Sequence, residues 1–330
     1  MKRFLEILIG LALALAVAVP SWLLGRVVPL VGAPIFAIVI GMAFSFLKKP
    51  DRAERGLAFV ARGALQYSIV LLGFGLDLGV VARVGVQSLS VMVFTIAAAL
   101  LTAWLVGKAF RLDPKINILV GVGTAICGGS AIAAAAPVID ANEEEVAFSI
   151  STIFLFNIIA VFLFPFLGHL MGMSQQGFGL WAGTAVNDTS SVVAAAFAYG
   201  DGAGRYATVV KLTRTLMIIP ITLVLALWRG RKAAGGTSRV DVKAIVPWFV
   251  LAFLAASLLR TTVRMSSDVT SALSEVGKFG ITVAMAAIGM RSNPLKLVRR
   301  GARPILLGLA CWAAVATVAL LVPSTGIGAL

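Results

Sequence analysis

Apolar runs of about twenty residues, separated by short polar or basic clusters, repeat along this chain from end to end. A helix needs ~20 mostly apolar residues to cross the hydrocarbon layer of a bilayer. Stretches of that kind lie at 5–25, 27–47, 59–80, 85–107, 115–138, 146–170, 177–199, 205–229, 243–260, 270–290 and 302–323. The pattern predicts an all-α polytopic membrane protein with about 11 transmembrane helices. Lys48, Lys49 and Arg52 follow the second stretch, and Lys108, Arg111 and Lys115 flank the loop after the fourth. Arg229, Arg231, Lys232, Arg239 and Lys243 follow the eighth, and Arg291, Lys296, Arg299, Arg300 and Arg303 follow the tenth. With eleven crossings, all of these share a side with Lys2 and Arg3. Asp140, Glu143, Glu144, Glu145 and Asp201 fall on the other. Basic loops mark the cytoplasmic face, which predicts a cytoplasmic N-terminus and an external C-terminus.

Eleven spans can be written as one extra helix over 1–26 followed by two halves of five, 27–170 and 171–330, in a single transporter domain. Five helices per half would invert the second half relative to the first, as in many secondary transporters. Gly75-Leu76-Asp77-Leu78 and Gly289-Met290-Arg291-Ser292 end spans of opposite direction, in agreement with inversion. A second likeness cuts across it. Gly123-Thr124-Ala125-Ile126-Cys127-Gly128-Gly129-Ser130-Ala131 resembles Gly183-Thr184-Ala185-Val186-Asn187-Asp188-Thr189-Ser190-Ser191, and the triplets Ala134–Ala136 and Ala194–Ala196 keep the register. These two stretches run the same way in an eleven-span count. Either one of them is re-entrant, or the likeness reflects shared chemistry.

Composition narrows the function. Of 330 residues 60% are hydrophobic and only 13% charged, more apolar surface than a soluble fold can hide. The net charge of +14 sits in the loop clusters, which argues for orientation in a membrane and against nucleic acid. Cys127 and Cys311 lie apart in apolar segments, and His169 is the single histidine, so neither a disulfide framework, a metal site nor a cofactor is expected. No nucleophile–base pair is visible, and an enzyme is not expected. The N-terminal apolar run could be a signal peptide, with Ala16-Val17-Ala18 as a cleavage pattern, but the many spans that follow favour a retained helix.

Two features remain as candidate chemistry. Glycine and hydroxyl residues inside an apolar span weaken a helix, and irregular backbone survives at membrane depth only where it is buried in protein or lines a cavity. Such breaks offer free N–H groups and dipole ends to an ion. This makes Thr124, Cys127, Gly128, Gly129 and Ser130 in one string, and Asn187, Asp188, Thr189, Ser190 and Ser191 in the other, candidates for a substrate site. Close helix packing by small residues is the competing reading. The second feature is charge at depth, which needs a partner or a task. Asp188 lies mid-span, Lys211 and Arg214 share a face of the next helix, and the spacing about Asp201 predicts an Asp188–Arg214 ion pair. Lys278 adds a further cation. Surplus buried positive charge is relieved by an anion, and Asp188 is also the candidate for a coupling ion. Asn157 reads as an interhelical hydrogen-bonding residue and His169 as an interfacial one.

The strings Leu71-Leu72-Gly73-Phe74, Thr124 to Ala133 and Gly183 to Val192 resemble the YeiH-type family of sulfate exporters over nearly the whole chain. The resemblance implies a panel domain beside a core domain of crossed, interrupted helices, at fold level like bile-acid symporters and sodium/proton antiporters. It also implies a transporter of the bacterial inner membrane that exports sulfate or a related sulfur oxyanion. A sodium- or proton-coupled organic-anion carrier and a channel-like or sensory membrane protein are the alternatives. The expected partners are a small anion and the lipid bilayer, with a homodimer admitted.

Overall fold

In a computed structural model, residues 2–28, 31–47, 49–230, 248–263, 265–292 and 302–324 are described. Among them every regular element is helical. Lys48, Arg231, Lys232, Arg239, Lys243, Lys296, Arg299 and Arg300, used above for orientation, lie outside the described residues.

The elements are α1 (Lys2–Val27), α2 (Ala33–Phe44), α3 (Asp51–Gly73), α4 (Leu78–Ala109), α5 (Pro114–Ala125), α6 (Gly129–Ala135), a 3-10 turn (Pro137–Ile139), α7 (Glu143–Leu170), α8 (Gln175–Ala185), α9 (Thr189–Tyr199), α10 (Asp201–Leu216), α11 (Ile218–Gly230), α12 (Trp248–Val263), α13 (Ser267–Arg291) and α14 (Ala302–Ser324). Each apolar stretch coincides with a helix or a helical pair. Helix α3 starts eight residues before the apolar window at 59, because its charged first turns are helical too. Arg55 there donates to Glu6 of α1 at 2.8 Å. Among the described residues six helices are long and apolar enough to cross a membrane. The chain is a polytopic membrane protein.

The fifth and seventh stretches break where the glycine and hydroxyl strings predict, but neither runs straight through. Lys115 at the start of α5 donates to the Asp140 carbonyl at 2.7 Å and lies 3.8 Å from Glu145. A Cβ on Gly123 would touch the Ile132 side chain at 2.9 Å. Both arms, α5 and α6, therefore lie side by side, and the segment returns to where it began. The second pair repeats this. Gln175 at the start of α8 accepts from the Ala203 N–H at 2.8 Å, and the Tyr199 hydroxyl at the end of α9 donates to the Met173 carbonyl. Two hairpins thus replace two expected crossings.

Helix α7 measures their placement. Its 28 residues span about 42 Å at 1.5 Å each. The base of the first hairpin sits at its N-terminal end, beside Glu145. The base of the second sits at its C-terminal end, where the His169 and Tyr199 rings stack 4.3 Å apart. Asn157, halfway along, meets the tip of the second hairpin, and Ile153 meets the tip of the first. The hairpins enter from opposite ends and their tips touch. This corrects the side assigned to the acidic loop: Asp140 and Glu145 lie with basic Lys115, and His169 lies at the far end.

The remaining helices form two groups. Helices α1, α2, α3 and α13 pack on one another, with α13 antiparallel to α3: Arg291 lies 3.7 Å from Glu54, and a Cβ on Gly277 would sit 3.2 Å from the Ser68 carbonyl. Lys49 donates to the Met290 carbonyl at 2.7 Å, closing the end of α13. Helix α12 joins this group through the Ser257 hydroxyl, which donates to the Leu76 carbonyl at 2.8 Å. Helices α4, α7 and α14 enclose the hairpins, with Trp181 donating to the Ala316 carbonyl at 3.0 Å. Between the groups run Val193, Ala194 and Ala198 of α9, packed on α2 and α13.

Candidate functional site

The two strings, Lys211 and Arg214 meet where the hairpin tips touch, while Lys278 and His169 lie away from them. The first tip, Ile126-Cys127-Gly128, turns on Gly128 at φ 69° and ψ −125°, a conformation that is open to glycine and strained for residues with a Cβ. A Cβ at Gly128 would lie 3.7 Å from Asp188, so the tips are in contact. At the second tip, Val186-Asn187-Asp188, the Asp188 side chain caps α9: it accepts from the Ser190 N–H at 2.9 Å and from the Ser190 hydroxyl. Its own N–H donates to Asn157 Oδ1 at 3.2 Å. Asn157 thus takes the interhelical role read from the sequence. Residues Thr189, Ser190 and Ser191 form the buried first turn of α9.

Both arms α5 and α8 point their C-terminal ends at α10, where the last carbonyls of a helix have no partner of their own. Lys211 and Arg214 supply them. The Lys211 ammonium donates to the carbonyls of Ile126 and Val186, each at 3.0 Å, and to that of Asn187. Arg214 donates from Nε to the Ala125 carbonyl at 2.8 Å, and from its two other nitrogens to the carbonyls of Thr184 and Thr124. Each cation therefore bridges both hairpins. Both are fully buried, at 0% exposure. A helix C-terminus carries roughly −0.5 of a charge, so two of them attract what two carboxylates would attract less locally.

This corrects two expectations. Arg214 is spent on carbonyls and forms no ion pair with Asp188, because the helix ends lie closer to it than the carboxylate does. Nor is Lys278 an unpaired cation: its ammonium lies 2.6 Å from Asp201 and 2.8 Å from Glu275. Sequence reasoning placed the cations correctly and assigned them the wrong partner.

Four of the nine buried side-chain atoms that lack a hydrogen-bond partner among the described residues lie at the tips; the other five, on Ser45, Gln87, Asn117, Tyr206 and Trp312, are scattered through the helices. Thr124 Oγ1, Asn157 Nδ2 and both amide atoms of Asn187 are buried with no hydrogen-bond partner. Thr124, Asn157 and Asn187 are 0%, 2% and 1% exposed. Cys127 is buried as well, while Gly129 is half-buried and Ser130 is exposed. Nothing lies within 4 Å of where a Cβ on Gly129 would stand. The sequence could not reveal that the Thr124 hydroxyl, the Asn157 NH2 and the Asn187 amide lack partners. Among the described residues no group of His, Cys, Asp and Glu could hold a metal ion.

Interrupted helices facing buried cations inside a bundle of apolar spans define the chain as a multi-pass integral membrane protein. The model of the family described as Conserved hypothetical protein 698 matches residues 9–308. The chain belongs to this family, the UPF0324 membrane proteins of YeiH type. It is 48% identical to a UPF0324 membrane protein of Streptococcus pyogenes serotype M6, over 97% of each chain. It is 49% identical to one of Streptococcus agalactiae serotype V, over 96% of this chain and 97% of the other. A third, from Streptococcus pneumoniae serotype 4, is 48% identical over 93% of both. No solved structure matches the chain.

Proposed function

We propose that the chain is a secondary transporter of a small anion, with the touching hairpin tips as its midplane site. One observation carries the reading: two hairpins from opposite ends of α7 meet at fully buried Lys211 and Arg214, beside buried polar atoms that have no partner. Irregular backbone at membrane depth is tolerated where it is buried in protein or lines a cavity, and its loose ends are the usual ion-binding elements of carriers.

Charge supports an anion. Two cations, one Asp188 carboxylate and two helix C-termini of roughly −0.5 each sum to about zero. The N-termini of α6 and α9 then leave the tips with roughly +1. Sulfur oxyanions and small carboxylates are the cargo class to try first. Asp188, half-buried at the tip, is the group in place to take a coupling proton or sodium ion, and this keeps a coupled organic-anion carrier as a second reading.

The same geometry favours motion of one body against another. Parting the tips would strand two buried charges, at several kcal/mol each. Sliding the hairpins and α10 as a unit along α2 and α13 disturbs mainly small apolar contacts of α9 and the Lys278–Asp201 pair. Under this reading nine segments cross and two are re-entrant, with a cytoplasmic N-terminus and an external C-terminus, because removing two crossings leaves the parity unchanged. In proteoliposomes, saturable exchange of an anion is the expected result, with and without a sodium gradient to separate the coupled form. Ohmic conductance, or no flux of any sulfur oxyanion or carboxylate, overturns the reading.

A further inference from the structure

The site offers hydrogen-bond acceptors as well as donors, and this restricts its ligand beyond charge. Lys211 has three N–H groups, and all three donate to tip carbonyls. Three of the five N–H groups of Arg214 are likewise engaged. The two cations are thus spent mainly on holding the hairpins together. The side-chain groups at the tips that have no partner are neutral: the Thr124 hydroxyl, the Asn157 NH2 and the whole Asn187 amide, each buried. Whichever way the Asn187 amide is turned, it presents one acceptor and one NH2. Asp188 beside it is acceptor-only when ionised.

A fully deprotonated oxyanion has acceptors alone. Seated at the tips it would satisfy the two NH2 groups and leave the Asn187 oxygen bare, while a second negative charge would meet Asp188 without compensation. We infer that the cargo is a monovalent anion that carries a hydrogen-bond donor of its own, an O–H or N–H placed against Asn187 and Asp188, and that a bare dianion such as sulfate is disfavoured. The inference rests on the transporter reading and specifies its ligand. It makes Asn187 the residue that discriminates, with Thr124 and Asn157 serving the acceptor end of the guest.

Three probes separate the terms: sulfate, a dianion with no donor at neutral pH; methanesulfonate, a monoanion with no donor; and 2-hydroxyethanesulfonate, a monoanion with one. Thermal stabilisation in detergent and counterflow in proteoliposomes are measured for each, with wild-type protein and with Asn187→Leu and Asn187→Asp. In wild type the hydroxylated sulfonate is expected to half-saturate at a concentration about tenfold or more below methanesulfonate, since one buried hydrogen bond is at stake, with sulfate weakest. Asn187→Leu should abolish the preference between the two sulfonates. Asn187→Asp keeps the shape and the acceptor but adds a charge beside Asp188, so it should weaken both sulfonates and retain the preference between them. Equal half-saturation by the two sulfonates in wild type, or tightest binding of sulfate, overturns the inference while leaving a transporter in place. Stabilisation and flux by none of the three overturns the inference, and the same failure with carboxylates overturns the anion reading with it.

Discussion

The two hairpins resemble each other in sequence and share their clamps, yet they are finished differently. In both, a first arm ends in carbonyls held by Lys211 and Arg214. The second hairpin then starts α9 with a side-chain cap, Asp188 on Ser190, and a brace from Asn157. The first starts α6 from Gly128, with no side-chain cap. Its second arm has seven residues against eleven in α9, and Ser130 stands exposed where Thr189, Ser190 and Ser191 are buried. The bases differ as well. An exposed lysine closes the first, whereas Tyr199 packs face to face on Phe178 at 3.9 Å in the second. Shared clamps hold the tips together, and the local finish decides that the first hairpin is the more easily remodelled.

The largest effect comes from removing what the hairpins share. Arg214→Leu leaves three buried carbonyls without donors, for a loss of about 3 kcal/mol or more, and should disorder both hairpins equally. Thermal unfolding in detergent with hydrogen exchange at 114–140 and 175–200 checks this, and protection lost from one hairpin alone would refute the shared clamp. Next, Gly128→Ala should cost about 1–3 kcal/mol, because its backbone conformation is strained for any residue with a Cβ. Gly129→Ala, a residue further on and facing open space, should be tolerated. Equal losses from both would show that crowding and not conformation sets the first tip.

Asp188→Ala should cost about 1 kcal/mol through the lost cap, and Asp188→Asn much less, since asparagine caps comparably. If the asparagine variant unfolds as readily as the alanine variant, the carboxylate charge matters more than its cap. The smallest change is expected from Lys115→Met at the exposed base of the first hairpin, at most about 1 kcal/mol. A larger loss would mean that the first hairpin depends on its base more than on its tip.

Much of this was legible in the chain. The apolar stretches fall on helices, and both strings break within a residue or two of the glycines and of Asp188 that marked them. The matched register of those strings, awkward for an eleven-span count, was the signal of a shared hairpin tip. What could not be read was the turn back, since an apolar stretch of this length with a break at its centre has the same composition whether it crosses or returns. The Arg214–Asp188 pair failed for a related reason. Side-chain charges are written in the sequence, whereas the partial charge of a helix end exists only once the helix stops and points at something.

By itself the sequence determined where helices form and where they are interrupted, because hydropathy and backbone freedom are properties of neighbouring residues. It also determined that Lys211 and Arg214 would be buried, but not that Lys278 would be paired with Asp201 and Glu275. Only the tertiary structure decided that the two interrupted segments fold back from opposite ends of α7, that Lys211 and Arg214 join them through six carbonyl acceptors, and that the Thr124 hydroxyl, the Asn157 NH2 and the Asn187 amide are left without partners. Those facts depend on which chain ends meet across 25 to 90 residues of sequence, and a contact at that range is set by packing rather than by local preference.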